Sequence, residues 1–499
     1  MRALWFLLLV AWGQAWADTL HVRSVADCVA NGCGAEDGSS YANAFRGTAD
    51  VSQGNGAGQW GAGDTLCAYG TFTGTSEVDV SGITLRIDTS GTDANTRTTL
   101  DGDCDGDGAY ATFDGGGAVG IGIRTAIVGT SRTTWAKVTR VNLTRYTNKA
   151  VVNYNVVGDE TSDANQLWTY INITNHGDGG AGDNCFDSRG RYVELSNSTI
   201  SGCDDDGVFH QGKYFRSNYL IVSDVSRATV TGDGLQIGGE GDGYNVTNFA
   251  CDHSLVDAKQ CFITSVLSDT GANGILDGAV MRCKLGAVSQ NCVFVTGVNA
   301  IIRRVYTDGG QYGIAVEDST DSNGLRLESS IATHATLTGV NVAGTNPTGI
   351  TLIHNVAALN GTRGINITPT NAMTLQNNIA YNNGDDGISR GHASQVEQYN
   401  DSFGNGGDNF AIAGNATAAG TGSISVDPDF TGGASPANAA GFCLEADSPL
   451  LAAGTYIGAW ATGYDNEDLG KPPAIGARHT CYGRAIVTTR PAVTSRPSN

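Results

Sequence analysis

The sequence predicts an all-β fold, a single-stranded parallel β-helix (solenoid) of about ten coils. The first observation behind this is a repeat. Cys203-Asp204-Asp205-Asp206-Gly207-Val208-Phe209, Gly232-Asp233-Gly234-Leu235-Gln236 and Asp257-Ala258-Lys259-Gln260-Cys261-Phe262-Ile263 are one phrase: a polar cluster, a small residue, then an apolar run. Gly207, Gly234 and Cys261 are 27 residues apart, and a weaker copy, Asp183-Asn184-Cys185-Phe186, stands 22 residues before Gly207. The second is composition. Gly is 70 of 499 residues and Pro only 9, with no long stretch of helical period, which fits many short strands joined by Gly, Asn and Asp turns. The third is a pair of positional rulers. A small residue before an apolar run recurs at Cys185, Gly207, Gly234, Cys261, Cys292, Gly313, Gly339, Gly364 and Gly387. An Asn or Ser before an apolar residue recurs at Asn142, Asn172, Asn197, Asn218, Asn248, Ser330, Asn355 and Asn378. Stacked Asn side chains are expected to hydrogen-bond from coil to coil. That makes Asn197-Ser198-Thr199 and Asn245-Val246-Thr247 ladder positions rather than glycosylation acceptors.

Taken in order, residues 1–17 read as a secretory signal: Arg2 at the head, an apolar run from Leu4 to Trp12, and Ala15-Trp16-Ala17 as the cleavage site. The run is too short to span a membrane, and no other stretch approaches the roughly 20 apolar residues a span needs. The expectation is a secreted or periplasmic protein, cleaved near Ala17, with no membrane association afterwards. Residues 18–118 should form an N-terminal cap and the first coils, 119–412 the β-helix core, 413–481 a C-terminal capping segment, and 482–499 a flexible tail. Ten coils of about 4.8 Å give a rod of about 50 Å whose open ends need covers.

Asp37-Gly38-Ser39-Ser40-Tyr41-Ala42-Asn43-Ala44-Phe45, followed by Gly63-Asp64-Thr65-Leu66-Cys67, resembles the start of exported proteins of the pectate-lyase-like superfamily. Asp427-Pro428-Asp429-Phe430, Ser448-Pro449 and Gly470-Lys471-Pro472-Pro473-Ala474-Ile475-Gly476-Ala477 resemble their closing segment. Members often carry acidic residues before the Ile-Gly and after the Ala, and Pro473-Ala474 and Arg478 depart from that. The resemblance implies a right-handed helix and a groove across the coils suited to an extended polysaccharide.

Between these ends, Asp103-Cys104-Asp105-Gly106-Asp107-Gly108, with Asp114 at the twelfth position, has the ligand spacing of a calcium loop in which Asp replaces the closing Glu. Twelve cysteines on an exported chain favour disulfides, and they fall as near neighbours: Cys28 and Cys33, Cys67 and Cys104, Cys185 and Cys203, Cys251 and Cys261, Cys283 and Cys292, Cys443 and Cys481. The net charge of −21 excludes nucleic acid as the leading partner. A bound divalent cation would reconcile so acidic a chain with an acidic substrate. A monomer is expected.

The repeat implies a column. If equivalent positions stack, Asp183, Asp205 or Asp206, Asp233 and Lys259 share one face. Crowded carboxylates raise one another's pKa and call for a cation, so Asp183, Asp205, Asp206 and Asp233 are candidate calcium ligands. Lysine-base pectate lyases on this scaffold hold calcium in an aspartate cage and cleave uronate polymers by β-elimination. The partial resemblance makes Lys259 the lead candidate base, with His210 and Lys213 behind it. In those lyases a further acid follows the Asp-Asp-Gly pair, where Phe209 and His210 stand here, and the base falls at a different distance. A lone His in such a repeat is more often a hydrogen-bonded turn residue. Gln236, His253, Gln260, Arg282, Lys284 and Arg304 are candidate substrate contacts. Two other functions compete. Asp183 or Asp187 followed by Asp204-Asp205-Asp206 resembles the aspartate spacing of polygalacturonase-like hydrolases, although their Gly-His-Gly and Arg-x-Lys signatures are missing. A non-catalytic carbohydrate-binding or structural β-helix would use the aspartates only for calcium or turns.

Overall fold

A computed structural model describes residues 19–478 except 37, 47–50, 52–59, 61–63, 74–82, 88–97, 119–120, 128–135, 155–162, 178–181, 190, 213, 226–231, 239–248, 265–273, 284–290, 297–298, 317–323, 345–346, 458–462 and 466–472. The signal and tail expectations therefore lie outside the described residues.

One coil shows the plan. Arg191–Ser196 forms a first-row strand, Thr199–Cys203 a second-row strand and Val208–Gln211 a third-row strand. The next coil repeats them as Phe215–Asn218, Ile221–Ser223 and Asp233–Ile237. Each strand pairs in parallel with its equivalent one coil on: Val193 with Phe215, Thr199 with Ile221, Val208 with Leu235. The first two rows merge into a 26-stranded sheet and the third is a 14-stranded sheet. Stacking begins at Thr19–Arg23, parallel to Thr65–Tyr69, and so starts well before residue 119. The third row ends at Phe410–Ile412, where Asn415–Ala416 turns back antiparallel and covers its open edge, while single parallel bridges carry the first two rows on to Thr421 and Ile424. Among the described residues the only α-helix is Val25–Asn31, capped by the Ser24 side chain on the Asp27 N–H.

The strands alternate in and out, and the inward residues of all three rows fill one continuous apolar core from Leu20 to Phe410. A single left-handed residue makes the bend between first and second rows. It is Tyr170 (φ 56°), then Asn197 (50°), Tyr219 (51°), His253 (46°), Gly278 (61°) and Arg304 (53°) in successive coils. No residue type marks this position, because the stacked strands on either side impose the conformation.

The small-residue ruler has a steric cause. A Cβ on Gly207 would stand 2.7 Å from the Gly234 carbonyl oxygen, and one on Gly364 2.7 Å from that of Gly387. The Asn ruler holds only in part. Ser330, Asn355 and Asn378 stack, and the Oδ1 of Asn355 and of Asn378 each accepts the backbone N–H one coil back. Asn172 reaches Asn142 through Nδ2 at 2.9 Å. Asn197, however, is the exposed left-handed corner residue, one place before the ladder position, which Ser198 fills. Asn218 pairs with Asp252, also outside the ladder, and Asn248 lies outside the described residues. A second buried ladder, Asn360–Asn383–Asn405, escaped the sequence reading although its 23- and 22-residue steps repeat the same period.

Disulfides join Cys28 to Cys33, Cys67 to Cys104, Cys185 to Cys203 and Cys283 to Cys292, and Cys443 is also bridged. The expected neighbours Cys251 and Cys261 are not joined, and neither is in a disulfide. Cys251 sits in the first-row strand Phe249–Asp252 and Cys261 in the third-row strand Gln260–Thr264, with the second row between them. After residue 426 the chain lies along the flank of the second row. Phe430, Phe442, Leu444, Leu450 and Ile475 form a second apolar cluster over Tyr306, Ile331, Val356 and Ile379.

Candidate functional site

The site is built on the turns leading into the third row. Asp204–Gly207 link Thr199–Cys203 to Val208–Gln211, and the Cys185–Cys203 disulfide braces that turn against the coil before it. The strand register divides the expected single column into two adjacent files. Phe186 pairs with Val208, Val208 with Leu235, and Asp233 with Gln260. One file is therefore Asn184, Asp206, Asp233 and Gln260. The residues one place earlier form the other: Asp183, Asp205, Gly232 and Lys259. Lys259 thus shares a file with Asp183 and Asp205 and stands beside, not above, Asp233.

The first file is an Asx ladder that breaks. Asn184 Oδ1 accepts the Asp206 N–H at 3.2 Å, and Asp206 Oδ1 accepts the Asp233 N–H at 2.7 Å. At Asp233 the pattern stops: its Oδ1 is buried with no hydrogen-bond partner. Burial, then the Asp206 and Asp205 carboxylates, push the Asp233 carboxyl well above the usual carboxylate range. Asp183, Asp206 and Asp233 are all buried, while Asp205 is partly exposed and accepts the Gly182 N–H through Oδ2 at 2.6 Å. An orphaned carboxylate oxygen among further carboxylates fits a hard divalent cation, which takes oxygen ligands.

The remaining predicted residues separate clearly. Lys259 is partly exposed, in the single-residue link between Leu255–Ala258 and Gln260–Thr264. Gln260 is buried in the Asp206–Asp233 file, and Gln236 is partly exposed in the third row. His210 faces the coil interior: fully buried, tilted against Phe215, with Nδ1 2.7 Å from Ser188 Oγ and its pKa lowered to about 3 by burial. It packs where a catalytic base would have no access to substrate. His253 is the exposed corner residue beside Asp252, and Arg304 is tied to Asp277 at the equivalent corner, both across the second row from the aspartates. Arg282 is exposed, one coil beyond Asp257 and on the side of the turn that carries Lys259. Lys213 and Lys284 lie outside the described residues. Asp187 is paired with Lys149.

In the N-terminal loop, the carboxylates of Asp103, Asp105 and Asp107 lie within 4.8 Å of one another, and the Cys67–Cys104 bridge anchors the loop. Asp114 is drawn away from them by Arg145. Among the described residues this trio, and not the central aspartates, has its oxygens already at that mutual distance.

Residues 291–435 match the family model described as a right handed beta helix region. The chain is a right-handed parallel β-helix. Among solved structures it is similar to pectate lyase Pel9A, at 14% identity and a TM-score of 0.44 over 93% of this chain and 97% of that one. It is similar also to a mutant of the periplasmic alginate epimerase AlgG, at 11% identity and 0.36 over 72% and 77%. A third is the Azotobacter vinelandii mannuronan C-5 epimerase AlgE6 A-module, at 12% identity and 0.33 over 73% and 91%. No curated protein matches the chain.

Proposed function

We propose that this right-handed β-helix is a secreted or periplasmic, monomeric, calcium-assisted lyase that cleaves an acidic (uronate) polysaccharide by β-elimination. The observation that carries the reading is the broken Asx ladder: the orphaned Asp233 Oδ1 beside Asp206 and Asp205, with Lys259 in the neighbouring file. The disulfides suit an oxidising compartment. Asp205, Asp206 and Asp233, joined by Asp183, would hold the calcium. A cation bound there would neutralise the uronate carboxylate and so make the C5 proton more acidic. The chain's own residues do the rest. Lys259 takes the C5 proton as the C4–O bond breaks and a C4–C5 double bond forms, and the departing glycosidic oxygen takes up a proton from water. Gln236 and Gln260 offer amides to sugar hydroxyls, and Arg282 a guanidinium to a neighbouring carboxylate. A second calcium in the Asp103–Asp105–Asp107 loop has a structural role.

The test is an assay of wild type and Lys259→Ala on pectate, alginate and glycosaminoglycans, with calcium and with chelator. The expected result is an ultraviolet-absorbing unsaturated uronide from one of these polymers, calcium-dependent, with at least a 100-fold loss in the variant. New reducing ends without that absorbance would favour the hydrolase. Binding without cleavage would favour the carbohydrate-binding module.

A further inference from the structure

In the wall of the coil, one coil beyond the Asp233 turn, three sulfurs meet. Cys261 and Cys292 hold the same strand-start position in consecutive coils, and the Cys261 N–H donates to the Cys292 carbonyl at 3.0 Å. Cys283 ends the second-row strand Val280–Cys283 and is bridged to Cys292. Cys261 stands outside the disulfides, its Sγ lies 2.9 Å from Cys283 Sγ, and all three sulfurs fall within 4.8 Å of one another. All three residues are buried. While the bridge is intact only one of the three is a thiol, so the cluster is not a metal trio. A thiol in contact with a disulfide is instead the starting arrangement for exchange.

We propose that Cys261, Cys283 and Cys292 form a thiol–disulfide exchange site in which one disulfide has two alternative positions. The Cys261 thiolate attacks Cys283 Sγ. The Cys261–Cys283 bond forms as the Cys283–Cys292 bond breaks, and Cys292 leaves as a thiolate that takes up the proton Cys261 released. No oxidant or reductant is consumed. The consequence is mechanical. The Cys283–Cys292 bridge closes 9 residues within one coil, whereas Cys261–Cys283 closes 22 and ties one coil to the next. Exchange therefore moves the staple from within a coil to between coils without moving a strand. Burial opposes thiolate formation, so exchange belongs to folding, before the wall closes, and to alkaline conditions. Cys251 takes no part: it is buried in the first-row strand Phe249–Asp252.

The test is peptide mapping after acid quench and alkylation. Cys292→Ser and Cys292→Ala, folded in a glutathione redox buffer, should each contain a Cys261–Cys283 bridge in most molecules. Folded variant protein in which Cys261 and Cys283 are both alkylated would overturn the proposal. Should neither variant fold, native wild type held at pH 9 with a trace of small thiol decides. A measurable fraction bridged through Cys261 supports the exchange site, and Cys283–Cys292 alone overturns it.

Discussion

Asp401 shows how much a single buried carboxyl can set. It is fully buried, its Oδ1 accepts the Val426 N–H at 3.0 Å, and its Oδ2 has no partner. Burial raises its pKa to about 8. The folded protein therefore binds this proton more tightly than the unfolded chain does. The stability it contributes is complete below the unfolded value of about 4 and is lost as pH rises through about 8. Thermal melts from pH 5 to pH 9 should show wild type falling more steeply than Asp401→Asn, with the variant the more stable at pH 9. Parallel curves would mean that Asp401 does not titrate in this range. The same physics explains a miss at this scale. His210 read as a candidate base because it follows the aspartates, yet strand alternation sends it into the core beside Ser188 and Phe215. Parity counted from Val208 would have found that.

At the scale of the strand and turn, the small-residue ruler is a contact between coils. A Cβ on Gly364 would meet Asn383 Nδ2 at 2.7 Å, the Gly387 carbonyl oxygen at 2.7 Å and the Ala380 Cβ at 2.9 Å. None of these can move without breaking a buried ladder. Gly364→Ala should cost about 2–3 kcal/mol by chemical denaturation. Gly414→Ala, where nothing lies within 4 Å and only the positive φ is strained, should cost about 1 kcal/mol. Equal effects would contradict the steric account. Such positions are legible in sequence because only Gly or Cys recurs at them. The left-handed corner was not legible, since Tyr170, Asn197, His253 and Arg304 share no chemistry that marks it. The aspartate column was half legible. The 27-residue step found the turn, but the turns differ in length, from Asp204–Gly207 in one coil to Lys259 alone in another. Only the strand register separates the two files.

For the whole molecule, the repeat period foretold the stacked coils, and composition foretold the absence of long helices among the described residues. The path of the C-terminal segment was hidden. It covers the flank of the second row, where Tyr306, Ile331, Val356 and Ile379 face outward, and these read in sequence like any buried strand. A cation shared by Asp206 and Asp233 would join neighbouring coils of this rod, so its binding should register in the stability of the entire solenoid. The decisive measurement is a calorimetric calcium titration of chelator-treated wild type and Asp233→Asn, with melting temperatures taken alongside. Asp105→Asn in both backgrounds silences the N-terminal loop. The account predicts calcium uptake with proton release and a raised melting temperature in wild type. It predicts that Asp233→Asn loses that event while melting higher than wild type in chelator, because the raised Asp233 pKa marks a charge that is unfavourable without a cation. Identical calcium uptake by both proteins would contradict it.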